Sequence, residues 1–259
     1  MSARVSLRLY LVRRTFLASH SIPYGDLRTL FFDVGNTLVS FDLELVTAEL
    51  ARHQIACDVQ DLRRAEAAAR PTVSASLNSE RTTETLSTFE LYLHVMLLNL
   101  PPQPVHNESS LSRVAHDLVQ AFDAIGRVRL WSNLLPQVPE TLEALKNRGL
   151  QLVVVSNSDG TVEELIAAVN LRDLFESVID SRIVGYEKPD PRIFEHALNV
   201  SGASPETTLH IGDMYHADVI GARAAGIHAL LLDPYGDWTN ADCEVVPDVP
   251  ALLQQFPGP

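Results

Sequence analysis

Four stretches of this chain carry side chains whose types and spacing can do chemistry together. Leu30 to Leu38 (LFFDVGNTL) runs three large apolar residues into one carboxylate, Asp33, followed by Gly35, Asn36 and Thr37. LQLVVVSNSDG ends a second apolar run at Ser156 and Asn157, and GYEKPDP holds Lys188, one of only two lysines in the chain. TLHIGDMYHAD ends a third run at Asp213, with Asp218 five residues later. An apolar run that stops at a polar residue before a Gly- or Asn-rich turn reads as a buried strand entering a loop. In open parallel sheets that edge is where ligands bind. Taken singly, each residue has a plainer reading. Asp33 serves equally as a turn or cap aspartate, Ser156 as a helix cap, Lys188 as a surface lysine and Asp218 as the cap of a helix over 219–225.

Taken together, they specify a reaction type. Three carboxylates brought close repel one another unless a proton or a cation intervenes. Mg²⁺ suits such a site because it accepts carboxylate oxygens, waters and a phosphate oxygen. Lys188 then offsets phosphate charge beside the nucleophile, while Ser156, Asn157 and nearby backbone N–H groups hold phosphate oxygens. Asp33 is the expected nucleophile, splitting phosphoryl transfer into two steps through an acyl phosphate. The histidines are read more plainly: His216 as a loop residue, and His196, His210 and His228 as structural or surface residues, since none forms a metal-like pair.

The elements that must position these residues follow from the apolar patterning. From about Arg127 onward, strands and helices alternate. PETLEALKNR (139–148) is an expected helix, LQLVVVS a strand, TVEELIAAVNL a helix capped by the Thr161–Glu164 pair, and SVIDSRI (177–183) a strand. A helix beginning near Pro191, the strand before Asp213, a further helix and the strand HALLLD come next, with a short helix over 249–256. This alternation predicts an α/β fold, a Rossmann-like parallel sheet covered on both faces. Between Gly35 and Gly126 there is no glycine, and the sequence has helical content, with Pro71 and the Pro101–Pro104 cluster expected to separate helices. The expected domains are a core at 28–43 and 126–259 and an inserted all-helical cap at 44–125. In that cap, Arg63, Arg64, Arg70 and Arg81 are candidate anion contacts.

Composition narrows the partners. The 259 residues carry a net charge of −13, which argues against a nucleic-acid backbone as partner. Cys57 and Cys243 lie far apart in no metal-like spacing, which predicts reduced thiols and a cytoplasmic protein. No apolar run is long enough to span a membrane. Residues 1–27 form the expected N-terminal tail. Its Arg-rich, acid-free start (Arg4, Arg8, Arg13, Arg14) fits a targeting segment or a start site placed too early. The sequence leaves the oligomeric state open.

The four stretches, in this order, resemble the haloacid dehalogenase-like (HAD) hydrolases over roughly residues 28–235. DVGNT at Asp33–Thr37, VVVSN ending at Asn157, EKPDP around Lys188 and GDMYHAD from Gly212 to Asp218 are similar to the family's four motifs. The resemblance implies a helical cap inserted after the first motif. It also implies roles: Asp33 as nucleophile and Mg²⁺ ligand, the Gly35 backbone carbonyl and Asp213 as further ligands, and Asp218 ligating or orienting the metal. Ser156 then binds the phosphoryl group and Lys188 stabilises it together with Asp33. One position departs from the pattern. The family's phosphatases place a second Asp two residues after the nucleophile, as acid and base toward the leaving oxygen and water, and here that position is Gly35. Loss of such a group costs about 10²–10⁴-fold in rate, and Asn36 has no titratable proton to replace it. A cap Glu, Asp or His, or a leaving group that needs no proton, would restore turnover. The glycine itself is expected to serve a positive φ. The leading expectation is a Mg²⁺-dependent phosphatase of a small phosphomonoester. The alternatives are a phospholigand- or partner-binding protein with weak or no turnover, and a dehalogenase, which the retained Asp213 and Asp218 disfavour. Phosphonate cleavage through a cap Schiff base is disfavoured further, since the cap has no lysine.

Overall fold

The computed structural model describes residues 21–77, 84 and 86–256. The chain enters at β1 (Thr29–Phe32), every residue of which is buried, and passes through a tight loop into the short β2 (Val39–Ser40). Four helices follow: α1 (Leu43–Arg52), α2 (Val59–Ser76), α3 (Leu86–Leu98) and α4 (Glu108–Ile125). A single turn, α5 (Arg127–Leu130), leads back to β3 (Asn133–Leu134), which pairs antiparallel with β2. The helical insertion therefore leaves and rejoins the rest of the chain through one two-stranded neck.

The remainder alternates as the patterning predicts. It comprises α6 (Val138–Asn147), β4 (Gln151–Ser156), α7 (Val162–Ala168), β5 (Ser177–Asp180), α8 (Ser181–Val184), α9 (Pro191–Ser201) and β6 (Thr208–Gly212). A π-helical turn at Tyr215–Ile220 runs into α10 (Gly221–Ala224), followed by β7 (His228–Leu232), β8 (Glu244–Val246) and α11 (Leu252–Gln255). Six strands form one parallel sheet in the order β5-β4-β1-β6-β7-β8. Because the connections run outward in both directions from β1, the strand order reverses beside it, and a cleft opens at the carboxyl ends of β1, β4 and β6. This is an α/β, Rossmann-like sheet with an inserted all-helical unit.

Alternation along each strand builds two cores, one per face. Leu30, Phe32, Leu152, Val154, Leu209 and Ile211 pack with α6, α7 and α11. Phe31, Val153 and Val155 pack on the other face with Ile193, Phe194, Val219 and Ala222. The inserted helices have a third cluster of their own, including Phe41, Val46, Leu62, Ala69, Leu93, Leu118 and Phe122. Helix starts follow side-chain caps: Asp42 accepts from the Leu45 N–H, Asp58 and Asp61 cap reciprocally, and so do Asn107 and Ser110.

Several local expectations are corrected. Pro71 does not separate two helices but lies inside α2. An interior proline costs about 3 kcal/mol, and here Leu62, Ala65, Ala69 and Val73 bury the helix face on both sides of it. Ahead of β1, Ile22 and Leu27 are buried in the first core; residues 1–20 of the expected tail lie outside the described residues. The strand expected over 177–183 stops at Asp180, whose carboxylate caps α8 and also accepts from the Val162 N–H at 3.2 Å. Asp180 thus replaces the expected Thr161 cap, and Thr161 makes no side-chain cap bond.

Candidate active site

Asp33 follows β1 directly, and Asp213 follows β6, which lies beside β1 in the sheet. Register therefore brings the two carboxylates to neighbouring strand ends. Asp218 lies in the π-helical turn that follows β6 and folds back over the end of its own strand. A β-carbon on Gly212 would overlap the Asp218 carboxylate, so the glycine of the GDMYHAD stretch is there to let that carboxylate in. One carboxylate oxygen from each of Asp33, Asp213 and Asp218 lies within 4.8 Å of the others, and all three side chains are buried.

Lys188 enters this cluster from the loop before α9. Its ammonium donates to Asp33 Oδ1 and to Asp218 Oδ1, at 2.7 Å each, and the side chain is buried. Asn157, expected as a phosphate contact, grips the Lys188 backbone with its carboxamide. Its Nδ2 donates to the Lys188 carbonyl at 2.8 Å, and its Oδ1 accepts from the Lys188 N–H at 2.6 Å. The carboxamide thus positions the lysine. Ser156, the last residue of β4, donates to Asp33 Oδ1 at 3.3 Å.

The three carboxylates have different surroundings. Burial works to raise the Asp218 carboxyl, but the Lys188 ammonium and the hydrogen bond from His210 outweigh it and hold it well below the usual range. Its Oδ1 receives Lys188 Nζ and His210 Nε2, the latter at 2.9 Å, and its Oδ2 receives the Met214 N–H at 2.8 Å. Burial dominates at Asp33 and raises it against the pull of Lys188. Asp213 is raised further, by burial and by its carboxylate neighbours, against the pull of Arg70. Asp213 Oδ2 is buried and receives no hydrogen bond, while Arg70 Nε stands 3.4 Å away in ion-pair range. A buried carboxylate oxygen with no donor, among clustered carboxylates, fits a hard divalent cation with oxygen ligands. Asp33 and Asp213 are the side chains best placed to hold one. Asp218, with both oxygens taken by donors, is better placed to orient.

Several residues at the site were not anticipated as such. His210 sits in the middle of β6, edge-on to Phe194 with ring centroids 4.9 Å apart, and faces Asp218. Burial holds it below the usual histidine range, so the neutral ring donates from Nε2. A titratable residue at a buried strand position was the available signal. Arg70, anticipated as an anion contact, is paired in a fork with Glu66 at 2.6 and 2.8 Å. Glu66 in turn accepts from Asn36 Nδ2 at 3.0 Å and from the Tyr92 hydroxyl. Helix α2 is thereby tied to the loop after Asp33. The i,i+4 spacing of Glu66 and Arg70 was legible in the sequence, but its direction toward the site was not. Arg64 pairs with Asp237 through two 2.7 Å bonds at the surface, and Arg81 lies outside the described residues. His216 donates its backbone N–H to Ser74 Oγ.

Gly35 does not hold a positive φ; the left-handed residue is Asn36, at 53°. What Gly35 accommodates is Trp131, since an added β-carbon would stand 3.2 Å from the indole. A cavity of about 140 Å³ opens over the cluster. Asp33, Gly35, Ser156, Lys188, Asp213 and Asp218 line its floor, and Val39, Val73, Phe89, Trp131, Val162, Leu165 and Met214 contribute apolar wall. Glu84 and Arg127 line it too. Cys57 and Cys243 are free thiols, and no helix among the described residues is long and apolar enough to cross a membrane.

Comparison with known proteins identifies the family. Residues 27–226 match the family model of haloacid dehalogenase-like hydrolases. Over 210 residues, 80% of this chain and 82% of the relative, the chain is 31% identical to haloacid dehalogenase-like hydrolase domain-containing protein 3 of Bos taurus. Over 121 residues, about half of each chain (46% and 47%), it is 38% identical to a phosphoserine phosphatase of Thermus thermophilus. In fold it is similar to the crystal structure of YfnB from Bacillus subtilis bound to magnesium, with a TM-score of 0.58 and 18% identity over 88% of this chain and 97% of that one. With its motifs at the carboxyl edge of the sheet and a family model matching most of its length, the chain belongs to the haloacid dehalogenase-like hydrolases.

Proposed function

We propose that this hydrolase is a Mg²⁺-dependent phosphatase of a small phosphomonoester, with Asp33 as its nucleophile. The observation that carries the reading is the Lys188 ammonium bridging Asp33 and Asp218 while Asp213 keeps a buried oxygen without a donor. The likeness to a phosphatase supports the reaction type; the likeness to YfnB supports the fold alone. Mg²⁺, held by Asp33, Asp213 and the Gly35 carbonyl, with Asp218 orienting, would neutralise the phosphate and the nucleophile's charge when bound.

The remaining roles belong to the chain's own side chains. Lys188 and Ser156 hold phosphate oxygens and keep Asp33 aimed. An Asp33 carboxylate oxygen attacks phosphorus, the bond to the leaving oxygen breaks, and water then cleaves the aspartyl phosphate. Residues 44–125 act as the cap, and its Val73 and Phe89, with Trp131, Val162, Leu165 and Met214 of the core, form the apolar wall that selects the leaving group. Phosphate release from a panel of phosphomonoesters, with and without Mg²⁺ and with Asp33→Asn, tests this reading. Release by Asp33→Asn in metal-free buffer contradicts it.

A second reading, a phospholigand-binding protein with weak turnover, is favoured by one observation: Trp131 fills the space beside Gly35 where the family's acid–base side chain would project. Dehalogenation is disfavoured because displacing halide needs no cation-seeking carboxylate cluster, and the extra carboxylates repel an anionic substrate.

A further inference from the structure

We propose that Glu84, from the inserted helical unit, supplies the proton to the leaving oxygen and later activates water, doing the work for which Gly35 has no side chain. This rests on the phosphatase reading above. Glu84 lines the same cavity as Asp33, Ser156 and Lys188. The cavity's other carboxylates are Asp33, Asp213 and Asp218, which are committed to the nucleophile, the cation and Lys188. Its other titratable groups are committed as well. Lys188 is shared by two carboxylates, Tyr92 gives its hydroxyl proton to Glu66, and Arg127 has no proton to transfer near neutrality. Among the described residues lining the cavity, Glu84 is left as the acid–base group.

Its surroundings suit the task. Arg127 Nη2 stands 3.6 Å from Glu84 Oε2, an ion pair looser than a hydrogen bond, and Arg127 also faces Asp159 at 3.8 Å and lies over the Phe89 ring. Burial pushes the Glu84 carboxyl up to about 7; Arg127 opposes this, and Asp159, Glu187 and Asp180 add to it. A general acid is most effective with a pKa near the working pH. In the first step Asp33 attacks phosphorus, the P–O bond to the leaving group breaks, and Glu84 gives its proton to the departing oxygen. In the second, the Glu84 carboxylate takes a proton from water, the water oxygen attacks phosphorus, and the bond from phosphorus to Asp33 breaks. Phosphate leaves and Glu84 is protonated again.

The test compares wild type with Glu84→Gln and Glu84→Asp on an alkyl phosphate (glycerol phosphate) and on 4-nitrophenyl phosphate, whose leaving group needs little protonation, with Mg²⁺ present. Folding of each variant is checked by thermal denaturation. Glu84→Gln is expected to lose about 10²–10⁴-fold in kcat on the alkyl ester and less than about 10-fold in the first step on the aryl ester, read as the pre-steady-state burst of nitrophenolate. The wild-type decline in alkyl ester turnover above about pH 7 should vanish in Glu84→Gln, and Glu84→Asp should recover part of the loss. A burst on the aryl ester slowed as much as the alkyl kcat, or an unchanged alkyl rate in an enzyme that still needs Asp33, overturns the assignment of Glu84 alone. A variant that does not fold leaves the decision to Glu84→Asp and the wild-type pH profile: a flat profile overturns the proposal. A wild type that releases phosphate from neither ester overturns the phosphatase reading, and this proposal with it.

Discussion

Trp131 lies so close over Gly35 that a β-carbon there would stand 3.2 Å from its Cζ3 and 3.4 Å from its Cη2. The indole is itself held against Phe41, with ring centroids 4.2 Å apart, so it cannot yield without disturbing the core of the inserted helices. Restoring the family's aspartate is therefore a packing problem before it is a chemical one. Gly35→Asp alone is expected to lose about 1–3 kcal/mol of stability, the usual cost of overpacking, and to gain little turnover on alkyl phosphates. Made in a Trp131→Leu background, Gly35→Asp should cost less stability than it does alone. A stable single variant with a 10-fold or larger gain, judged by the general acid–base scale of about 10²–10⁴, contradicts the steric account.

Lys188 is the only cation bonded to both Asp33 and Asp218 among the described residues. Lys188→Met leaves those carboxylates facing one another in a buried site, and breaking a buried pair in this way costs about 3–5 kcal/mol. The loss should be larger at pH 7 than at pH 4, where protonation relieves the repulsion, and Mg²⁺ should recover part of it. Urea denaturation at the two pH values measures this; an equal loss at both points to packing instead of charge.

Gly212 is required by the Asp218 carboxylate. Gly212→Ala should push that carboxylate off Lys188, His210 and the Met214 N–H, weakening Mg²⁺ binding by about 10–100-fold, as loss of an outer contact to a metal site does. Gly25→Ala, with nothing within 4 Å of the added carbon, is the control and should bind as the wild type does. Isothermal titration of Mg²⁺ into both variants decides the matter, and an unchanged affinity in Gly212→Ala contradicts the orienting role of Asp218.

The fold and the floor of the site were legible in the chain because both follow short-range rules. Apolar runs fixed the strands, and a polar residue at the end of each run marked the edge where Asp33, Ser156 and Asp213 meet. Contacts made by the inserted helices and by the turn that follows them were not legible, because their partners are distant in sequence. Glu66 meets Asn36, Arg70 meets Asp213, and Trp131 meets Gly35, none of which a local pattern announces. Helix breaking at Pro71 was misjudged for a related reason: tertiary burial of the α2 face overrides the local preference. His210 was passed over because its meaning comes from the later residue Asp218 folding back onto its strand.

Glu84 also makes stability depend on pH. Its carboxyl is raised from an ordinary 4.5 to about 7 in the folded protein, so between those values the folded state keeps a proton that the unfolded state has lost. Stability from this group is therefore full below about pH 4.5 and is lost as pH rises toward 7, by about 1–3 kcal/mol. Glu84→Gln lacks this slope, and its stability relative to wild type should rise steadily between pH 4 and 8 in denaturant titrations. A constant difference across that range contradicts the raised carboxyl.

In the proposed mechanism Asp33 carries the phosphoryl group between the two half-reactions. Its most direct test is mass spectrometry of the enzyme quenched in acid within the first turnovers with 4-nitrophenyl phosphate and Mg²⁺. One added phosphoryl group is expected on the peptide containing Asp33, absent without Mg²⁺ and absent in Asp33→Asn. Phosphate released at the same rate by Asp33→Asn, with no phosphoryl group on that peptide in the wild type, would contradict it.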